Sequence, residues 1–222
     1  MNHIPLAERM RPSNLEEYIG QSHLVGKEAV FRKAIDRGMI PSIIFWGPPG
    51  VGKTTLARIL ASSLDRPFYT LSAINSGVKD IREIISKVES QGFFGQGNAI
   101  LFIDEIHRFS KSQQDSLFGA VEKGVITLVG ATTENPSFEV NSALLSRCQV
   151  HVLKPLEKED LQLLVNRAIA EDEELKKEKI ELREDEYLLR LSGGDARKLL
   201  NILESVVQAL PSGEKGITND IV

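Results

Sequence analysis

The fold of this 222-residue chain can be inferred from one short stretch, Gly47-Pro48-Pro49-Gly50-Val51-Gly52-Lys53-Thr54. The stretch matches the pattern G-x-x-x-x-G-K-[S/T], between a β-like run that ends at Trp46 and a helical pattern that starts at Lys53. Backbone N–H groups of such a glycine-rich loop can surround phosphate oxygens, and the start of the helix adds a positive dipole. We therefore predict a phosphate-binding loop made of these eight residues and Thr55. In it, Lys53 would reach the β- and γ-phosphates of a nucleotide, and Thr54 would ligate Mg²⁺.

The alternation of strands and helices around this loop predicts the fold class. Short β-like runs occur at Ser42–Trp46, Pro67–Leu71, Ala99–Ile103, Val125–Ala131 and Gln149–Leu153. Helical patterns occur at Glu28–Arg37, Lys53–Leu64, Val78–Gln91 and Ser110–Lys123. Strands that alternate with helices form a parallel, doubly wound sheet. We expect an α/β fold with a five-stranded parallel sheet between helices.

The β-like runs stop near Pro155, which marks a predicted domain boundary. Later residues show helical periodicity only, in Glu157–Glu171, Glu184–Leu191 and Asp195–Leu210. We predict an α/β domain over residues 1–154 and a small all-helical domain over residues 155–222. The segment Ile217-Thr218-Asn219-Asp220 is typical of the N-cap of another helix. We therefore expect the helical domain to be truncated at its C-terminal end and the chain to be part of a longer protein.

Two acidic residues follow the third β-like run and indicate hydrolysis. The run Ala99–Ile103 ends in Asp104-Glu105, and ligands of open α/β sheets bind at the carboxyl ends of the strands. We expect Asp104 to hold Mg²⁺ through water and Glu105 to polarise the attacking water. The alternative explanation is a helix N-cap with a paired acid. We interpret the nearby His107 as a surface or packing histidine.

Composition excludes several classes of protein. Hydrophobic residues make up 41% of the chain and charged residues 26%, as in globular proteins. The longest apolar run, Ala99–Ile103, is far shorter than the about 18 residues that a membrane-spanning helix needs. The single Cys148 excludes an internal disulfide and a multi-cysteine metal site, which fits a reducing cytosol. Because the formal net charge is −4, any contact with nucleic acid would be local.

Several motifs resemble those of AAA+ ATPases, in the branch that contains clamp loaders and Holliday-junction branch-migration motors. These motifs are the phosphate-binding loop and Leu101-Phe102-Ile103-Asp104-Glu105-Ile106-His107-Arg108-Phe109. Other stretches resemble the replication-associated recombination protein A family, whose eukaryotic relatives are the Werner-helicase-interacting ATPases. They are Glu8-Arg9-Met10-Arg11-Pro12, Tyr18-Ile19-Gly20-Gln21 and residues 75–82, 107–115 and 130–138. The likeness extends from about Pro5 to Leu210.

The resemblance implies further site residues. In the family, segments matching Arg11-Pro12 and Ile19-Gly20 pack against adenine, here within an N-terminal arm over residues 5–21. The residue matching Thr133 is sensor 1, the arginine matching Arg147 is a finger inserted into the neighbouring subunit's site, and the arginine matching Arg197 is sensor 2, which also contacts nucleotide. A guanidinium stabilises the charge that accumulates on a transferred phosphoryl group. The expected catalytic residues are therefore Lys53, Asp104, Glu105, Thr133, Arg147 and Arg197.

The resemblance also implies a function. It indicates an ATPase that binds ATP or ADP with Mg²⁺ and acts at stalled replication forks and in recombination and repair. Expected partners are DNA with single strands, ends, forks or junctions, single-stranded-DNA-binding protein, and further copies of the chain. The helices after Pro155 would form a lid, and a C-terminal domain would assemble tetramers. The expected location is the bacterial cytosol, associated with the nucleoid, without a membrane partner.

Four residues near helix starts are candidate contacts for DNA phosphates, although ordinary solvent-facing side chains would look the same. They are Lys79, Arg82, Ser110 and Lys111. The alternatives to the function that the resemblance implies are a clamp-loader-like ATPase subunit and a Holliday-junction branch-migration motor. A protein unfoldase is disfavoured because the loop Ser72–Lys79 lacks an aromatic residue, and Phe93-Phe94-Gly95 precedes the third strand. A non-hydrolysing scaffold subunit is disfavoured because the residues expected to bind and hydrolyse nucleotide are all present.

Overall fold

The computed structural model describes residues 4–73, 76–92, 99–210 and 215–222. By their internal contacts these residues form two compact units. The sheet unit contains residues 22–47 and 53–153, and the helical unit contains residues 1–21, 48–52 and 154–222. The motif Phe93-Phe94-Gly95 lies outside the described residues, as do residues 74–75 of the loop after the second strand.

The strands and helices fall close to their predicted positions. Strands in the described part are β1 (Ile43–Trp46), β2 (Phe68–Ser72), β3 (Ala99–Asp104), β4 (Ile126–Thr132), β5 (Gln149–Val152), β6 (Glu181–Leu182) and β7 (Gly216–Ile217). Helices are α1 (Leu6–Arg9), α2 (Ser22–Val25), α3 (Val30–Asp36), α4 (Lys53–Ser63), α5 (Val78–Gly92), α6 (Lys111–Glu122), α7 (Pro136–Glu139), α8 (Ser142–Leu145), α9 (Lys158–Glu171), α10 (Glu173–Glu178), α11 (Glu186–Ser192) and α12 (Ala196–Ala209). A 3-10 helix follows β3 at Ile106–Arg108.

The sheet unit contains the predicted five-stranded parallel sheet, with strand order β2-β3-β4-β1-β5. Every residue of β4 is buried, as are the first five of β3. Continuous apolar strands of this kind are stable when both faces of the sheet are covered. Helices α4 and α6 pack against β4, and the α/β prediction is confirmed.

The strand register brings the ends of three neighbouring strands to one edge of the sheet. Trp46, the last residue of β1, pairs with Thr132, the last residue of β4. On the other side of β4, Ile103 of β3 pairs with Gly130. The segments that leave β1, β3 and β4 therefore start side by side, at the edge where open α/β sheets bind ligands.

The helical unit has its own hydrophobic core, built mainly from α9, α11 and α12. The N-terminal arm contributes to this core, because Leu6 of α1 is fully buried in it. Arg9 then forms a bidentate ion pair with the buried Asp172, with N–O distances of 2.7 and 3.1 Å. Paired guanidinium and carboxylate groups of this geometry fix orientation as well as charge. These contacts hold the arm to residues more than 150 positions away in the sequence.

The observed units differ from the predicted domains in two respects. We expected the arm and the phosphate-binding loop to belong to an α/β domain over residues 1–154, but residues 1–21 and 48–52 group with the helical unit. The reason is the burial of Leu6 and the pairing of Arg9, which periodicity does not reveal. The helical unit also contains a short parallel ladder, β6 with β7. Ile217 therefore lies in a strand rather than in the N-cap predicted for residues 217–220.

Local signals in the sequence account for the start of α6. Ser110 accepts a hydrogen bond from the Gln113 backbone N–H, and the Gln113 side chain accepts one from the Ser110 N–H. This capping box satisfies two backbone donors at the helix start. Among the described residues, none of the helices combines the length and apolar character that crossing a bilayer requires.

Candidate active site

Lys53 is the first residue of α4 and lies at the edge of the sheet where β1 ends. Its side chain is buried, and its Nζ donates a hydrogen bond to the Gly47 carbonyl oxygen at 2.7 Å. The Gly47 N–H in turn donates to the Thr132 carbonyl at the end of β4, at 3.2 Å. The ammonium group, which carries three N–H donors, is thus held at the start of the loop. Thr55, in the first turn of the same helix, is half-buried.

Thr54 and Asp104 provide adjacent oxygen atoms. The Thr54 hydroxyl Oγ1 lies 3.5 Å from the Asp104 carboxylate Oδ2. Mg²⁺ prefers oxygen ligands and is commonly held by one or two protein groups together with water and substrate phosphates. The pair therefore fits the donor set expected for magnesium beside a bound nucleotide, and its role as a magnesium site stays a prediction.

Glu105 has an uncommon backbone conformation, with φ of 53° and ψ of 49° in the left-handed region. Residues other than glycine or asparagine pay a steric cost there, and such conformations cluster at functional sites. One carboxylate oxygen, Oε2, accepts a hydrogen bond from the Thr133 hydroxyl at 3.4 Å. The same oxygen lies 3.2 Å from His107 Nδ1. The structure thus brings Glu105 and the predicted sensor residue Thr133 together.

His107 was not assigned a functional role from the sequence, yet it contacts Glu105. The 3-10 helix turns the chain back after Glu105, and the ring nitrogen Nδ1 also lies 2.9 Å from the hydroxyl of Thr132. Thr132 is fully buried at the end of β4. Only the spacing of two residues from Glu105, which a tight turn can close, hinted at this contact in the sequence.

Within the helical unit, the middle of the phosphate-binding loop is closely packed. The Tyr18 hydroxyl donates to the Val51 carbonyl at 3.2 Å, and burial raises the pKa of Tyr18. A side chain at Gly52 would overlap the Tyr18 hydroxyl. Gly50 has a φ of +70°, and a side chain there would overlap the Asp195 carboxylate. These two positions therefore require glycine for both conformation and space, and the Ala196 N–H donates to the Gly50 carbonyl at 3.1 Å.

The residues predicted to contact adenine have packing partners within the helical unit. Arg11 pairs with Glu8, and Pro12 is half-buried. Ile19 packs against the helical core. Gly20, with a φ of +80°, leaves no room for a side chain because Leu156 lies against it. The contacts of these residues explain the arm's conformation, and their role towards adenine stays a prediction.

Arg147 lies after α8 and is about half exposed, at 47%. Its guanidinium pairs with Glu122 at 3.0 Å and lies 5.8 Å from the centre of the Phe118 ring. It forms no ion pair with Asp104 or Glu105 in the described sheet unit. The adjacent Cys148 packs against the core, and burial raises the pKa of its thiol to about 12. Cys148 is therefore a packing residue with a protonated thiol.

Arg197 is exposed in the first turn of α12. The helix is capped by Asp195, whose carboxylate accepts from the Lys198 N–H at 2.8 Å. The Arg197 side chain makes no hydrogen bond or ion pair with another residue in the described part of the chain. Its role towards a nucleotide stays a prediction.

The phosphate loop, the acidic pair and the parallel sheet together define a class of nucleotide-binding protein, and comparison with known families agrees. Residues 43–156 match the family described as "ATPase family associated with various cellular activities (AAA)". The chain therefore belongs to the AAA family of ATPases.

The predicted resemblance to replication-associated recombination protein A is confirmed. The chain is 48% identical over 221 residues to that protein from Coxiella burnetii, covering 98% of this chain and 50% of the relative. It is 46% identical over 207 residues to the ATPase WRNIP1 of Dictyostelium discoideum, covering 92% of this chain and 24% of the relative. The chain thus spans half or less of the length of these curated relatives.

A solved structure is similar to this chain over most of the chain's length. It is the RuvB Holliday junction branch migration motor of Thermotoga maritima, with a TM-score of 0.77 and 30% sequence identity. The match covers 96% of this chain and 70% of that one. The similarity confirms the AAA+ fold that the motifs predicted.

Proposed function

We propose that this chain is the ATP-hydrolysing part of a DNA-dependent ATPase that acts at stalled replication forks and in recombination and repair. Hydrolysis would be coupled to remodelling of DNA or of DNA–protein complexes. The observation that carries the proposal is the Glu105 carboxylate, with one oxygen held by Thr133 and His107, one residue after the Asp104 that lies against Thr54. A site used only for binding nucleotide would not need this carboxylate.

The roles of these groups follow from their chemistry. Lys53 and the loop N–H groups would bind the phosphates of ATP, and Thr54 and Asp104 would hold Mg²⁺. The metal would neutralise charge on the phosphate oxygens. Glu105 would accept a proton from the attacking water through Oε1, because the hydrogen bonds from described residues all reach Oε2.

The proposal includes a site completed by a neighbouring copy of the chain. Arg147 is half exposed and makes no ion pair with the catalytic acids, which favours a role outside its own subunit. A guanidinium from a second copy would stabilise the charge on the transferred phosphoryl group, as Arg197 would from the first. Full assembly, expected to be a tetramer, would need the longer protein.

The DNA part of the proposal rests on the relatives' names and on exposed basic residues. The Lys79 side chain is 88% exposed and pairs only loosely with Glu83, at 3.7 Å. Arg82 and Lys111 are also exposed. The proposal places the protein beside DNA in the bacterial cytosol, with single-stranded-DNA-binding protein as a partner.

ATP hydrolysis measured with a panel of DNA substrates tests this function. Forks, gapped duplexes, Holliday junctions and a primed template with a sliding clamp are compared with no DNA. Stimulation by forks and gapped duplexes is expected. Stimulation by junctions alone would favour the branch-migration motor that the RuvB similarity offers as the second candidate. Stimulation only by clamp and primed template would favour a clamp-loader-like subunit.

The salt dependence of DNA binding tests the basic residues directly. Replacing Lys79, Arg82 and Lys111 together should weaken binding equally for all sequences. The slope of log K against log salt should become shallower by about one unit for each phosphate that the variant no longer binds. Fluorescence anisotropy at several salt concentrations measures the slope. A matched variant with Lys158, Lys176 and Lys177 replaced controls for net charge, and a slope that changes equally in both variants would contradict the assignment.

A further inference from the structure

The residues next to His107 in the sequence do not explain the contacts that its ring makes in the sheet unit. Its side chain is only 13% exposed, and Nδ1 lies 3.2 Å from Glu105 Oε2 and 2.9 Å from Thr132 Oγ1. One ring nitrogen thus meets two oxygen atoms at hydrogen-bond distance. One partner would satisfy this nitrogen in a histidine that only packs, so the second contact needs an explanation.

The surroundings of Thr132 determine which ring nitrogen carries the proton. The Thr132 hydroxyl accepts from the Glu134 N–H at 3.0 Å and donates its single proton to the Glu134 carbonyl at 3.1 Å. The hydroxyl can therefore accept a hydrogen bond from His107 while it donates to the Glu134 carbonyl. An ionised Glu105 carboxylate has no proton to give. Both contacts are satisfied together only if Nδ1 carries the hydrogen and donates it.

We infer that His107 is a positioning residue of the hydrolytic site, which holds Glu105 Oε2 through an Nδ1–H hydrogen bond and is itself oriented by the buried Thr132. The contact fixes the plane of the carboxylate and leaves Oε1 for the attacking water. Thr133, which donates to the same Oε2, fixes it from the end of β4. This inference rests on the proposed role of Glu105 and adds to it a residue that does not touch the nucleotide.

The proposed tautomer can be tested without nucleotide. In water a neutral imidazole mostly carries its proton on Nε2, so an Nδ1–H form requires specific acceptors. Long-range ¹H–¹⁵N spectra at about pH 8 distinguish the two forms, and the spectrum of His107→Asn assigns the His107 signals among the four histidines. A protonated Nδ1 and an unprotonated Nε2 are expected. An Nε2–H tautomer at His107 would overturn the inference.

Turnover by three variants tests the consequence for catalysis. The amide nitrogen of Asn can take the place of Nδ1, whereas that of Gln extends towards Nε2. His107→Gln and His107→Ala should lower kcat by about tenfold, the effect of one hydrogen bond, without changing KM. His107→Asn should recover most of that loss. Equal kcat in the Asn and Gln variants, at equal thermal stability, would contradict the positioning role.

Glu105→Gln separates this inference from the function on which it rests. If Glu105→Gln retains turnover, the proposed role of Glu105 is wrong. If Glu105→Gln is inactive while His107→Gln has the kcat of the unaltered protein, only the role of His107 is wrong. In either case, the tautomer measurement shows whether His107 donates a hydrogen bond from Nδ1 to Glu105.

Discussion

Two regions of the sheet unit carry proposed catalytic groups in very different surroundings. At the ends of β3 and β4, Glu105 is held by Thr133 and His107, and His107 is anchored by the buried Thr132. After α8, Arg147 is half exposed, and its one carboxylate partner among the described residues is the equally exposed Glu122. The first region is fixed by hydrogen bonds within one chain, and the second is anchored only weakly.

This contrast indicates which parts of the proposed site one chain can supply. A carboxylate with one oxygen already bound needs little reorganisation before it acts on water. An exposed ion pair contributes little stability, about 0–1 kcal/mol, so a guanidinium can leave it for a better partner. In the proposed site, one chain would therefore supply water activation, and a second copy would add the guanidinium that completes charge stabilisation.

The largest effect is expected from Arg147→Ala. Arginine fingers given by a neighbouring protein contribute about 10³–10⁵ to turnover in other nucleotide hydrolases. In the full-length protein, steady-state phosphate release should fall by that range while ATP affinity, measured by nucleotide titration, stays within about threefold.

Arg190→Ala is the matched control for this variant. Arg190 is another exposed arginine that lies over an aromatic ring, 4.4 Å from the centre of Tyr187. Its replacement should leave turnover unchanged. Similar losses in both variants would mean that Arg147 acts through stability or solubility rather than catalysis.

Glu105→Gln should cause the next largest loss. Removing a general base lowers turnover by about 10²–10⁴-fold, and the neutral amide keeps the shape of the side chain, so ATP should bind as before. Lys53→Ala should instead weaken ATP binding by about 10–100-fold, because it removes a charge-assisted hydrogen bond to phosphate. Nucleotide titration beside phosphate release separates the two. Equal loss of binding in both variants would refute the role of Glu105.

The smallest effect is expected from Glu122→Gln. This variant tests whether Arg147 must be held by a residue of its own chain in order to support turnover. Because the exposed pair is worth at most about 1 kcal/mol, turnover of the full-length protein should change by less than about fivefold. Phosphate release and thermal unfolding are measured together. A loss as large as that of Arg147→Ala would show that the finger must be held by Glu122, and the contrast between the two regions would disappear.

The phosphate loop, the sheet and the acidic pair could be predicted because each is encoded locally. Glycine spacing defines the loop, and apolar runs such as Ala99–Ile103 define buried strands. His107 could not be assigned, because its contact with Glu105 depends on a 3-10 turn and its contact with Thr132 depends on the pairing of β3 with β4. The grouping of the N-terminal arm was missed for a similar reason, since Arg9 pairs with Asp172, which lies far away in the sequence.

Mixing two inactive variants is the decisive test of the shared site. Lys53→Ala lacks a working loop but keeps Arg147, and Arg147→Ala lacks the finger but keeps Lys53. At a mixed interface an intact loop meets an intact finger, so ATP hydrolysis should return on mixing the two full-length proteins. The specific activity of the unaltered protein should also rise with its concentration as subunits assemble. No recovery on mixing, together with a specific activity independent of concentration, would contradict a site completed by a second copy.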